Sequence, residues 1–264
     1  MNKMFAVAAL FFKLQIAYRV DVFATVVGTV SRILFAWLVW GAVFAGRDNI
    51  GGFYLETMLA YYVISALIVS LDICFGISSE IAATIRGGSF SKFMVLPINP
   101  QIYWLGRCMG WISFLALFIF PVALLSGLMF GAGGVDLRLA SILLGFVMVP
   151  AGLAFMVLYH IFIGLLAFKF QEVWLFLHVQ STFIEFTQGA WIPLILLPEA
   201  ALRIISFLPF PHVVFTPTML IIGKMDLHEG LVSFGILLLW IAGMAALGQF
   251  TYHRLRIKYD GVGV

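Results

Sequence analysis

The chain of 264 residues is 63% hydrophobic and only 10% charged, with a mean hydropathy of +1.11 and a formal net charge of +3. Soluble domains carry roughly 45–50% apolar and about 25% charged residues, so a water-soluble domain is excluded, and no nucleic-acid partner is expected. The apolar runs are long and continuous rather than alternating, which points to an all-α membrane protein and not to a barrel.

Taken in chain order, the first element is an amphipathic helix over residues 1–20. Phe5, Ala9, Phe12 and Ile16 recur at helical spacing, with Lys3, Lys13 and Arg19 elsewhere on the wheel. Such a helix lies in the membrane interface. The apolar run "MFAVAALFF" is only nine residues long, Lys13 breaks its continuation, and no small-residue cleavage site appears, so it is not read as a secretory signal.

Six segments are long enough to cross a hydrocarbon core of about 30 Å. They fall near 22–45, 55–77, 105–130, 139–168, 174–197 and 231–250. The fourth carries no formal charge over 30 residues, so it tilts, protrudes or bends at Pro150. Lysine and arginine in the flanks set the orientation. With both termini cytoplasmic, ten cations lie inside (Lys3, Lys13, Arg19, Arg86, Lys92, Arg107, Lys169, Arg254, Arg256, Lys258) and four outside (Arg47, Arg138, Arg203, Lys224). Arg32 remains within the first span. The stretch 198–230 is too broken by Pro198, Pro209, Pro211 and Pro217 to span, yet too apolar to float in water. A short outer helix over 199–208 and a shallow or re-entrant segment satisfy both facts. The whole chain, 1–264, reads as one transmembrane domain.

Catalytic motifs are missing. "IIGKMD" has a Gly-Lys pair without the rest of a phosphate-binding loop, and "GGSFS" lacks the second flanking glycine of a nucleophile elbow. The five histidines show no metal-ligand spacing. Cys74 and Cys108 read as free thiols.

Charges inside spans are more informative, because Arg32, Asp72 and Glu185 each carry an insertion cost of about 2.5–3.5 kcal/mol near a helix centre. Spacing places His178, Ser181, Glu185 and Gln188 on one face of the fifth span. Tyr61, Ser65, Asp72 and Ser79 share a face of the second. Two readings stand side by side: ion pairs and hydrogen bonds that join helices, and a polar pathway enclosed by the two faces. Arg32 and Asp72 are the pair best matched in depth.

The longest inner loop, 78–104, contains "IRGGSFSKFMVLPINP" (85–100). It keeps Phe90, Phe93, Met94 and Leu96 beside Arg86, Ser89 and Lys92, and Pro97, Asn99 and Pro100 redirect the chain into the third span. Its apolar residues suit either a partner's groove or the bilayer surface, where Arg86 and Lys92 would meet anionic lipid.

With the stretches "YRVD" (18–21), "FLPFPHVVFTPTMLIIGK" (207–224) and "HRLRIKYDGVGV" (253–264), this loop makes the chain similar to the permease subunits of the ABC type-2 transporter family. The resemblance covers nearly the whole chain. It implies that the loop is a coupling segment resting on a cytoplasmic ABC ATPase subunit, with Arg86, Ser89, Phe90, Lys92, Phe93, Met94, Leu96, Pro97 and Asn99 at the contact. One departure is that Leu96 precedes Pro97, where relatives often carry a basic residue. The resemblance further implies an ATP-driven exporter in the inner membrane, built from two permease subunits, either a homodimer or a pair of related paralogues. ATP and magnesium would be held by the ATPase, with no cofactor bound by this chain. Two alternatives are an ion-coupled secondary transporter using Asp72, Glu185 and His178, and a membrane scaffold that transports nothing.

Overall fold

The computed structural model describes residues 3–17, 19–72, 74–96, 98–130, 138–170 and 174–255. Pro97 and the tail from Arg256 lie outside the described residues, as do the side chains of Met94 and His178. Eleven helices succeed one another in chain order among the described residues: α1 (Lys3–Gln15), α2 (Arg19–Val43), α3 (Leu55–Leu71), α4 (Phe75–Arg86), α5 (Ser91–Val95), α6 (Pro100–Phe130), α7 (Leu139–Leu165), α8 (Trp174–Thr187), α9 (Glu199–Ile205), α10 (Phe215–Ile221) and α11 (Leu227–Leu255).

By length and apolar composition, five helical stretches among the described residues can cross a membrane: Val22–Val43, Leu55–Arg86, Pro100–Ile119, Leu139–Phe168 and Leu227–Arg254. This is an integral membrane protein. A sixth crossing arises only if Glu199–Ile205 and Phe210–Ile221, bent by 82° against each other, are counted together.

The last span is longer than expected, α11 covering Leu227–Leu255 rather than 231–250, and three other spans differ for a local reason. The second span does not run unbroken from 55 to 77, because α3 stops at Leu71 and the Asp72 carboxylate accepts the Cys74 N–H at 3.0 Å. An aspartate that bonds the backbone ahead of it competes with the helix ladder, and α4 then continues to Arg86. The third begins earlier than 105. Asn99 Oδ1 accepts the Gln101 N–H at 2.8 Å, and Pro100 occupies the first helical position, where its missing N–H does no harm.

The largest difference is at α8. Its 14 residues rise about 21 Å, short of the hydrocarbon thickness, rather than filling 174–197. The chain turns at Gly189 (φ +75°), a left-handed conformation that a glycine adopts without strain. Pro193 and Pro198 then bracket a single 3-10 turn, Leu194–Leu196.

Helix α7 is the axis of the core. Its glycines admit the broken segment after α9: a Cβ at Gly152 would fall 2.9 Å from Val213 Cα, and one at Gly145 would fall 3.0 Å from the Pro217 carbonyl oxygen. Small residues that let backbones approach are the usual means of helix association in lipid. The first helix uses the same device. Gly106 and Gly110 of α6 leave room for the backbone of α1 at Met4 and Ala8, and Phe12 packs edge-on against Phe114 at 5.4 Å. So α1 is fastened to α6 through its Ala8 side, while Phe5, Leu10 and Ile16 remain exposed.

Candidate functional site

The direction of α7 defines two ends of the bundle. Its Leu165 end gathers α4, α5, the start of α6 and the end of α11. At that end α4 stops at Arg86, and Gly88 (φ +73°) turns the chain. The Phe90 N–H and the Ser89 hydroxyl both donate to the Thr84 carbonyl, at 3.0 and 3.3 Å, and close an elbow onto the end of α4.

Phe90 is fully buried, with Phe168 edge-on at 5.1 Å and Tyr252 at 6.3 Å. Phe93 is buried against Tyr103 at 5.2 Å and Trp104 at 6.1 Å. These two rings therefore do not reach outward into a partner's groove, contrary to the expectation from sequence. One turn of helix, three residues, sets both on the inner face of the elbow, where they are fixed to α6, to the end of α7 and to α11. The outer face carries Lys92, Val95 and Leu96. Val95 is 85% exposed and Leu96 is 46% exposed. Arg86 is half-buried at the close of α4, and Asn99 serves as the cap of α6.

Behind the elbow, Arg107 of α6 pairs with Glu80 of α4 at 2.6 Å. Its guanidinium also covers the faces of Trp104 at 4.8 Å and Phe11 of α1 at 5.3 Å. A half-exposed ion pair adds little stability by itself, but a guanidinium held on three sides fixes the angle between α1, α4 and α6.

The intramembrane polar residues divide into two groups. Tyr61, Ser65 and Gln188 are buried. The Tyr61 hydroxyl donates to the Gly189 carbonyl at 2.7 Å, Ser65 donates to the Tyr62 carbonyl at 3.2 Å, and the Gln188 amide meets Met156 Sδ at 3.7 Å. Tyr62 donates to the Trp191 carbonyl, so α3 fastens the turn that ends α8. Gln188 comes directly after the last residue of α8 and points to α7, which removes it from the face of Ser181 and Glu185. Those two are half-buried, and the Glu185 carboxylate accepts the Trp191 indole N–H at 2.7 Å. Beside them the outer surface of α8 exposes Val179, Phe183 and Phe186. Asp72 is half-buried at the helix break, while Ser79 is exposed on α4.

Arg32 and Asp72 are not brought together. Arg32 is exposed on α2, with no hydrogen bond or ion pair to the described residues, and Asp72 is engaged by its own backbone. The ion pairs among the described residues are Arg107–Glu80, Arg138–Asp226 and Arg203–Glu199. Reading the sequence does not single out Arg107, Glu80, Tyr252, Phe168 or Trp191 for these contacts. Each is a long-range partner, and no local pattern marks it.

A family model described as ABC-2 family transporter protein matches residues 30–262. No curated protein and no solved structure matches the chain.

Proposed function

Because the chain belongs to the ABC-2 family of transporter proteins, we propose that it is the transmembrane permease subunit of an ATP-driven exporter in the inner membrane. A separate ATPase subunit would hold ATP and magnesium. A second permease, identical or paralogous, would complete the pathway. In this reading both termini and the elbow are cytoplasmic, and the bent pair α9–α10 is a re-entrant element on the outer side.

One observation carries the coupling role. The apolar tip Val95–Leu96 and the Lys92 cation project from an elbow whose inner rings are locked to three other parts of the bundle. A plain loop would bury nothing, and a lipid-resting helix would not need Phe90 and Phe93 in the protein core. Closure of ATPase subunits against the tip would move α4, the start of α6 and the end of α11 together.

The test is purification of the chain with its native partners. An ATPase that co-purifies, and whose hydrolysis rises when the permease is present, supports the reading. Transport that tracks an ion gradient with no ATPase bound would replace it with the ion-coupled alternative.

The same reading assigns the surface of α8 that bears Ser181 and Glu185 to the pathway between two permeases. Cysteines at 181 and 185, in a background lacking Cys74 and Cys108, are expected to react with a small water-soluble thiol reagent and to change reactivity when ATP is trapped. A cysteine at 188 is expected to stay protected, because Gln188 is buried against α7. Glu185→Gln keeps a hydrogen-bond acceptor for Trp191 but loses the charge, and is expected to lower transport about tenfold, the scale of one charge-assisted hydrogen bond. Protection at both 181 and 185 in every nucleotide state would leave α8 as a packing helix.

A further inference from the structure

Arg32 is the eleventh of the 22 residues in the span Val22–Val43, about 15 Å of helix rise from either end. An arginine stem cannot carry its head that far to the interface. The residue is nonetheless exposed, beside Val27, Val30 and Phe35, with no partner among the described residues. A bare guanidinium at this depth is costly in lipid, so it calls for a counter-charge from protein. Gly28, one turn away, leaves a hollow next to it: a Cβ there would meet no atom within 4 Å. Helices in membranes approach one another at such positions.

The chain itself carries a carboxylate with the complementary need. Asp72 is engaged by the Cys74 amide at the helix break, and Glu80 is held by Arg107. Glu185 differs from both. One of its oxygens accepts the Trp191 indole N–H, and the other has no hydrogen bond among the described residues. A carboxylate can accept about four hydrogen bonds. Glu185 also shares its side of the molecule with exposed Val179, Phe183 and Phe186, an apolar surface like the one around Arg32.

The two groups match in depth. Trp40 of α2 meets Tyr62 of α3 at 5.6 Å, and the neighbouring Tyr61 donates to the Gly189 carbonyl after α8. These contacts refer α2 and the end of α8 to one level of α3. Arg32 lies eight residues from Trp40 toward the elbow end, about 12 Å, and Glu185 lies four residues from Gly189 the same way, about 6 Å. Two long side chains span the difference. Within one copy they do not pair. A two-fold axis along the membrane normal preserves depth and sets α2 of each copy against α8 of the other, so both pairs form at once.

We propose that a second copy of this chain covers the exposed face of α2, with Arg32 of each copy paired to Glu185 of the other across a seam between α2 and α8. Gly28 supplies the hollow into which the partner's α8 fits. This pairing rests on the two-permease reading above, narrows it to a homodimer and names the contact. Glu185 stands at the edge of the route between the copies, shared by the seam and the wetted surface that bears Ser181.

The experiment co-expresses two tagged versions of the full chain, both lacking Cys74 and Cys108, one with Arg32→Cys and the other with Glu185→Cys. Oxidation of the membranes with copper phenanthroline is expected to join the two tags in a reducible dimer. Leu38→Cys, exposed on another side of α2, is expected to give no such product with Glu185→Cys. In mild detergent, Arg32→Glu or Glu185→Arg alone is expected to raise the monomer-to-dimer ratio at least about tenfold. Both changes in one chain restore the dimer, because each seam then holds the same pair reversed. The proposal is overturned if Arg32→Cys and Glu185→Cys do not join, if the wild-type chain is a monomer or associates only with a permease of different sequence, or if the double variant dimerises no better than the single ones. None of these readouts involves ATPase or transport. A chain that forms this dimer and moves nothing would refute the exporter reading alone, and an active exporter without this crosslink would refute the pairing alone.

Discussion

Aspartate at both Val95 and Leu96 is expected to reduce ATP-driven transport at least about tenfold while leaving the chain folded in the membrane. Both side chains project from the elbow, so little native contact is lost, and surface substitutions of this kind usually change stability by less than about 0.5 kcal/mol. The large effect lies in the complex. Two carboxylates pressed into an apolar groove must shed water without a guaranteed partner, which costs several kcal/mol, whereas about 1.4 kcal/mol already changes an equilibrium tenfold. Co-purification of the ATPase and its stimulated hydrolysis are the measurements. If the double variant assembles and transports as the wild type does, the tip is not the docking surface, and the bilayer reading of the elbow takes its place.

The hydropathy pattern made the membrane class legible and placed most of the long helices, but it could not say which face of each is buried. In α7 nearly every position is apolar, and lipid is as welcoming to leucine as a protein core is. Only the glycines carry the distinction. Gly145 and Gly152 lie along one side of α7 and admit the segment after α9, a pattern that local reading passes over without knowing what packs there. The prolines at 97 and 100 were legible as punctuation, because they act locally, but the start of α6 at Pro100 was not, and the third span was placed five residues too late. The break at Asp72 was not legible either, since the same aspartate suits a buried pair, a pathway or a cap. Composition also carried the fifth span past Thr187, where Gly189 and Pro193 end the helix.

The elbow shows the same limit at smaller scale. Its basic and aromatic character was readable. Which aromatic residues face inward was not, because a helix of five residues has no period to measure. Phe168 and Tyr252, which decide the matter for Phe90, arrive from 78 and 162 residues further along the chain. The polar face of α8 failed for a related reason. Gln188 keeps the helical bond to the Ile184 carbonyl at 2.8 Å, yet its side chain is buried against Met156 while Ser181 and Glu185 stay half-buried, a difference that spacing does not disclose.

Phe90→Ala separates transmission from docking. Truncating a fully buried phenylalanine costs about 3–5 kcal/mol when its surroundings cannot collapse, and Phe90 is held by the rings of Phe168 and Tyr252 from two distant parts of the chain. A marked fall in melting temperature is therefore expected, with Phe90→Leu recovering most of it. The Val95–Leu96 tip is not touched by this change. At a temperature where Phe90→Ala remains folded, the ATPase is expected to bind it, while coupled transport falls at least about tenfold. That pattern differs from the aspartate variant, in which binding itself fails. The distinction rests on rigidity: an elbow with a void behind it can yield when the tip is pushed, whereas a close-packed one must carry α6 and α11 with it. Thermal melting in detergent, ATPase retention and transport in vesicles read the three quantities separately. Wild-type melting in Phe90→Ala would show that the ring cluster is not what holds the elbow, and loss of ATPase binding would show that Phe90 acts by shaping the tip.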